Sequence, residues 1–230
     1  FTGVTPLKAS HYYYKQLSLK DGVTSAVRCI LTDKQGFVWI GTKAGISRYD
    51  GHELKKYVYS PNNPHSIPNN LIHQIAEDEM SNIWILTDKG IARYQRQSDD
   101  FFLPTDEKGN PIIAYSTCLT KDGVLFGSKD KVYFYSYRDS SLRLLQKLNK
   151  GNNFNISLLS LWNEHTVLCC SRWQGLALLD LKTGKHRLPP FDCGKEIMNM
   201  LIDSQNRIWI APYNEGIKCF THNGELVKAY

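Results

Sequence analysis

The feature that most constrains the fold is a sentence written more than once. "FVWIGTKAGISRYDGHELKKY" (37–57) is followed by "NIWILTDKGIARYQRQSDDFF" (82–102), both aromatic-Ile-x-Thr, a polar run ending in Gly, then Ile-x-Arg-Tyr. Anchored on Trp39, the pattern returns at Trp84, Leu125, Leu168 and Trp209, spaced 41–45 residues apart. Five copies therefore fill the 230-residue chain, at approximately 20–60, 67–104, 111–148, 154–192 and 195–230. The third and fourth copies are degraded. A period of this size marks a unit that buries its faces only by stacking on its neighbours.

Every copy has the same grammar. An apolar stretch ("AVRCILTD", "LIHQIAED", "EIMNMLID") ends at Asp33, Asp78 or Asp203. A tight turn leads to a second strand ("FVWIGT", "NIWILT", "RIWIAP"), and a short turn to a third ("GISRYD", "GIARYQ", "GLALLD", "GIKCF"). A weaker fourth strand closes the unit: "ELKKYVY", "DDFFLP", "LRLLQKL", "KHRLPPF" or "ELVKAY". These runs are short, rich in β-branched and aromatic residues, and punctuated by Gly, Asn and Asp. No apolar helical period persists. The expectation is an all-β β-propeller of four-stranded antiparallel blades, about five in this chain. On this reading Trp39, Trp84 and Trp209 are wedges between blades. Asp33, Asp78 and Asp203 cap turns, and Gly45, Gly90, Gly175 and Gly216 supply permissive backbone.

The segment "DKQGFVWIGTKAGISRYDGHELKKY", with "YSPNNPHSIPNNLIHQIAEDEMSNIWILTDKGIARY", resembles the two-component-regulator propeller repeat. Copies one, two and five match its W-I-G-T…G-L-x-R-Y-D string, whereas copies three and four match only in their strands. The resemblance implies the periplasmic sensor region of a hybrid two-component histidine kinase of the Bacteroides type, with oligosaccharides as ligands. It also implies transmission to a membrane-linked kinase outside this segment, and allows protomers to pair through the full-length sensor. The stretch 12–18 ("YYYKQLS") reads as an outer strand left from a preceding blade. Together with "ELVKAY" it is one strand too many for a closed five-bladed ring. The expectation is an arc of a larger propeller of the seven-bladed type.

Residues that repeat belong to the scaffold, so recognition is expected in loops that differ between copies. Two such loops place an aromatic beside amide or charged groups: Arg172-Trp173-Gln174 and Tyr213-Asn214-Glu215. An aromatic face against sugar C–H groups, with amides and charges for the hydroxyls, is the chemistry of glycan binding. An ordinary solvated turn is the plain alternative for each. His65, in "SPNNPHSIPNN", is a weaker candidate because that stretch resembles the family's usual inter-blade connection.

The remaining composition narrows the function classes. Net charge is +6, but basic residues are spread singly, without the concentrated footprint that nucleic acid requires. No run of about 18 apolar residues is present, so no membrane contact is expected of this segment. The opening "FTGVTPLKAS" carries no leader, and a trimmed start would look the same. The six cysteines form no C-x-x-C pair and lie in β-like runs, so buried thiols are expected rather than metal ligands. No cofactor, metal or catalytic residue is expected. G-x-S-x-G, H-E-x-x-H and a P-loop are absent from the sequence. Two other classes stay open: a protein-interaction scaffold, and a propeller-fold glycosidase or polysaccharide lyase.

Overall fold

A computed structural model describes residues 25–148, 154–194 and 196–230. The outer strand read at 12–18 lies outside them. The described residues form twenty strands in five four-stranded antiparallel sheets, each built from one continuous stretch of chain. The first holds β1 (Val27–Thr32), β2 (Val38–Thr42), β3 (Gly45–Tyr49) and β4 (Leu54–Tyr57). The second holds β5 (Ile72–Glu77), β6 (Ile83–Thr87), β7 (Gly90–Gln95) and β8 (Asp100–Phe102). The third holds β9 (Ser116–Thr120), β10 (Gly123–Ser128), β11 (Lys131–Ser136) and β12 (Leu142–Lys147). The fourth holds β13 (Ile156–Asn163), β14 (Thr166–Ser171), β15 (Gly175–Asp180) and β16 (His186–Arg187). The fifth holds β17 (Ile197–Ile202), β18 (Ile208–Pro212), β19 (Lys218–Phe220) and β20 (Leu226–Ala229).

One strand differs from the sequence reading. "KHRLPPF" is not a full fourth strand, because β16 stops at Arg187 after two residues. Pro189 and Pro190 follow almost at once, and neither has an N–H to give a ladder. Residues 188–194 run instead as a connection that exposes Leu188, Pro190 and Asp192 and buries Cys193.

The repeated Asp and Trp act together. Asp33 Oδ1 accepts the backbone N–H groups of Gln35 and Phe37 at 3.0 Å, closing the turn, while Oδ2 accepts the indole N–H of Trp39 at 3.0 Å. Asp78 does the same for Asn82 and Trp84, and Asp203 for Gln205, Arg207 and Trp209. One carboxylate thus fixes both the turn and the ring that packs on the next sheet. The indole of Trp39 meets Tyr94 of the second sheet edge-on at 4.8 Å, and Trp84 meets Tyr135 of the third at the same distance. Arg48 donates to the Tyr94 hydroxyl, and Arg93 to that of Tyr135 at 2.8 Å. Both tryptophans are completely buried.

The two ends of the stack are different. Among the described residues no strand of the fifth sheet pairs with the first. Ile75, Leu159 and Met200 occupy one register position on the first strand of their sheets, and each is 7% exposed. Ile30 holds that position in the first sheet and is 64% exposed. At the other end Trp209 is only half-buried, whereas Trp39 and Trp84 are sealed. Both ends thus carry apolar faces of the kind that neighbours cover elsewhere in the molecule.

A polar pin joins the first two sheets. Asp99 accepts the Tyr57 hydroxyl at 2.6 Å, and also the Tyr94 hydroxyl, Lys55 Nζ and Arg48 at 3.3 Å. Burial pushes its carboxyl up, but the bonds from Lys55, Tyr57 and Tyr94 outweigh it and hold the pKa at about 2. A depressed carboxyl adds stability that is fully present above its unfolded pKa, near 4, and is lost as pH falls toward about 2. We expect urea unfolding of the wild type to lose more stability between pH 5 and 2.5 than that of Asp99→Asn. The excess should be no more than about 2 kcal/mol, and equal losses would remove the pin.

Candidate functional site

The loop joining β14 to β15 has three residues, Arg172, Trp173 and Gln174, between the paired Ser171 and Gly175. Gly175 adopts φ 75°, the left-handed conformation that lets so short a loop close. The Arg172 guanidinium lies 5.0 Å from the centroid of the Trp173 ring, which is 63% exposed. A large aromatic is therefore held open to solvent with a cation against it. The Arg172 carbonyl accepts the Ile197 N–H at 2.9 Å, which ties this loop to the first strand of the fifth sheet.

The second loop, between β18 and β19, lies beside the same junction. Tyr213 donates its N–H to the Glu196 carbonyl at 2.8 Å, and its ring is exposed. Asn214 and Gly216 both have positive φ, 59° and 75°. A Cβ on Gly216 would stand 2.0 Å from the Tyr230 carbonyl oxygen, so only glycine fits there. Glu215 pairs with Lys218 at 2.6 Å and raises the lysine pKa. Another Glu215 oxygen lies 3.5 Å from where a Cβ on Gly194 would stand.

Between the loops runs the 188–194 connection, and against it opens a groove of about 810 Å³ lined by Gln174, Leu188, Pro190, Phe191, Asp192 and Gly194. Gln174 and Glu215 thus reach two parts of the same wall. His65 is not brought to them. It sits between the first and second sheets, with Nδ1 3.8 Å from Asp100 and its carbonyl accepting the Phe101 N–H. Sequence reasoning missed the 188–194 wall. Its signal was the Pro189-Pro190 pair, which breaks a strand and leaves a connection with exposed side chains.

The groove lining offers the Phe191 ring, the Gln174 amide and the Asp192 carboxylate, while Trp173, Tyr213 and Glu215 stand outside the lining, in the loops beside it. Glu215 is already paired with Lys218. Among the described residues no three His, Cys, Asp or Glu side chains gather as a metal site. Cys193, in the groove wall, is buried, and burial pushes its thiol up to about 11, far from a reactive thiolate. Cys29 and Cys118 are raised to about 11 and Cys170 to about 12 for the same reason, and no disulfide joins the six cysteines.

Comparison with known proteins bears on the fold. Residues 21–44 match the family described as two component regulator propeller. A stretch of 59 residues is 37% identical to a histidine kinase, P4, of Formosa agariphila, covering 25% of this chain and 4% of that protein. The extracellular domain of a hybrid two-component system from B. thetaiotaomicron superposes with a TM-score of 0.75 over 91% of this chain, at 19% identity. The chain shares the fold of that extracellular domain. The extracellular domain of a second B. thetaiotaomicron hybrid system gives a TM-score of 0.70 over 91% of the chain, at 21% identity. The chain spans 30% and 28% of those two solved chains. Among the described residues no helix is long and apolar enough to cross a membrane.

Proposed function

We propose that this region is part of the extracytoplasmic, periplasmic sensor of a two-component-type protein. It binds oligosaccharide fragments without altering them and passes the occupancy to a membrane-linked histidine kinase. The observation that carries this reading is the exposed Trp173, backed by Arg172 and next in the chain to Gln174, which lines the groove, with Glu215 close to Gly194 of its wall. The likeness to extracellular domains of two-component systems supports the compartment and the regulatory, non-catalytic role. Signalling requires that the ligand bind one arrangement of the sensor better than another.

The five sheets are read as blades of a longer propeller, with further repeats covering Ile30 at one end and Trp209 at the other. The small share of the solved relatives that this chain spans supports that reading.

Calorimetry against a panel of oligosaccharides tests the site. An active glycan should bind Trp173→Ala about tenfold or more weakly, with unchanged circular dichroism. Unaltered affinity in that variant removes this groove as the glycan site. Exposed Leu188, Trp173 and Tyr213 also favour a second reading, a contact surface for another protein. That reading gains if the panel stays silent in a protein extended by its neighbouring repeats.

A further inference from the structure

In the first two spaces between sheets the same trio recurs. A tryptophan stands on the second strand, an arginine beside it on the third, and a tyrosine arrives from the next sheet. These are Trp39, Arg48 and Tyr94, then Trp84, Arg93 and Tyr135. Between the third and fourth sheets the register puts Leu125, Phe134 and Leu179 in those positions. An indole and a phenol ring are both replaced by leucine. The space between the fourth and fifth sheets also has a leucine, Leu168, but Trp162, Phe191 and Phe220 fill it, with the two phenylalanine rings stacked at 4.6 Å.

Leu125 and Leu179 are buried in one core with Phe154, and the surface opens beside that core. A cleft of about 430 Å³ opens between the third and fourth sheets, floored by Leu125, Phe134, Leu161 and Leu181. Its mouth carries Glu79, Lys121, Arg143 and Glu164, all exposed. Ligand pockets are of about this size, roughly 300–1,000 Å³, and here an apolar floor meets a rim that is mostly charged. The cleft opens beside the β13–β14 turn, at the far end of β14 from Trp173, so it is separate from the groove described above.

We propose that this cleft is a binding site for a small planar aromatic compound of indole size. The ligand lies where a tryptophan side chain lies between the earlier sheets. There the indole N–H is taken by the turn carboxylate of Asp33 or Asp78. At the cleft, Glu79 and Glu164 on the rim offer carboxylates to a ring N–H in the same way. An apolar floor under a charged rim takes a flat ring face-down and leaves a ring N–H for a rim carboxylate.

The test uses indole itself, titrated into the protein and followed by saturation-transfer NMR. Wild type is expected to bind. Leu125→Trp, which restores the missing ring, should weaken indole binding about tenfold or more and raise the melting temperature. Leu119→Trp, on the cleft wall, should block entry from a position that is already 38% exposed. It decides the matter alone if Leu125→Trp does not fold. Trp173→Ala should leave indole binding unchanged, which separates this site from the glycan groove. No indole binding by the wild type, or wild-type affinity in the folded tryptophan variants, overturns the proposal.

Discussion

Trp84→Ala is expected to destabilise the protein by about 3–5 kcal/mol, the usual cost of emptying a buried aromatic site. Trp84 is completely buried, packs edge-on against Phe126 and Tyr135 of the third sheet, and donates to Asp78 at 2.7 Å. Truncation removes ring contacts on both sheets and one of the bonds to a buried carboxylate. The register-equivalent Trp209→Ala should cost only about 1–2 kcal/mol, the transfer share of a half-covered ring with no closed cavity behind it. Urea unfolding of the two variants measures the difference. Equal costs would mean that something seals Trp209 as firmly as the third sheet seals Trp84.

Arg96→Ala should cost a comparable 3–5 kcal/mol or so, by a different route. Arg96 reaches from the second sheet to Asp33 at 3.0 Å and Glu77 at 3.7 Å, and bonds Gln35 and the Ser81 carbonyl. The Asp33 side chain is fully buried and that of Glu77 nearly so. Burial pushes Asp33 up, but the Trp39 indole N–H and the Arg96 guanidinium outweigh it and hold the carboxyl below its usual range. Without Arg96, two buried carboxylates are left near each other with no cation between them. Protonation relieves that repulsion, so the deficit of the variant should be full at pH 7 and shrink as pH falls through the carboxylate range. Unfolding curves at pH 7 and pH 4 check the sign, and a deficit that grows on acidification would refute the account.

The architecture was legible because its cause is local. Strand periodicity, the Gly-marked hairpins and the Trp column at 41–45 residue spacing are all properties of contiguous chain, and they place the four strands of nearly every sheet. The strand at "KHRLPPF" lies where the sequence puts it but is cut to two residues, because Pro189 and Pro190 have no N–H to extend the ladder. The candidate site was half legible. Residues 172–174 and 213–215 stood out as loops that do not repeat, and they do lie at one junction between the fourth and fifth sheets. His65 stood out in the same way yet lies at another junction. Nothing in a linear string says which loops become neighbours.

By itself the sequence determined an all-β chain of repeated four-stranded units, since backbone pairing and side-chain alternation need only a few adjacent residues. The tertiary structure decided what passes between units. It joined Asp33 to the Trp39 ring and the Trp39 ring to Tyr94, and it placed Gln174 and Glu215 along one wall. It also showed that Leu125, one more apolar residue in the Trp column, borders a cleft while Leu168 packs in a core with Trp162 and Phe220. Whether a leucine borders a cleft depends on which rings the next sheet brings, and that is fixed by packing across sheets rather than by the order of residues within one.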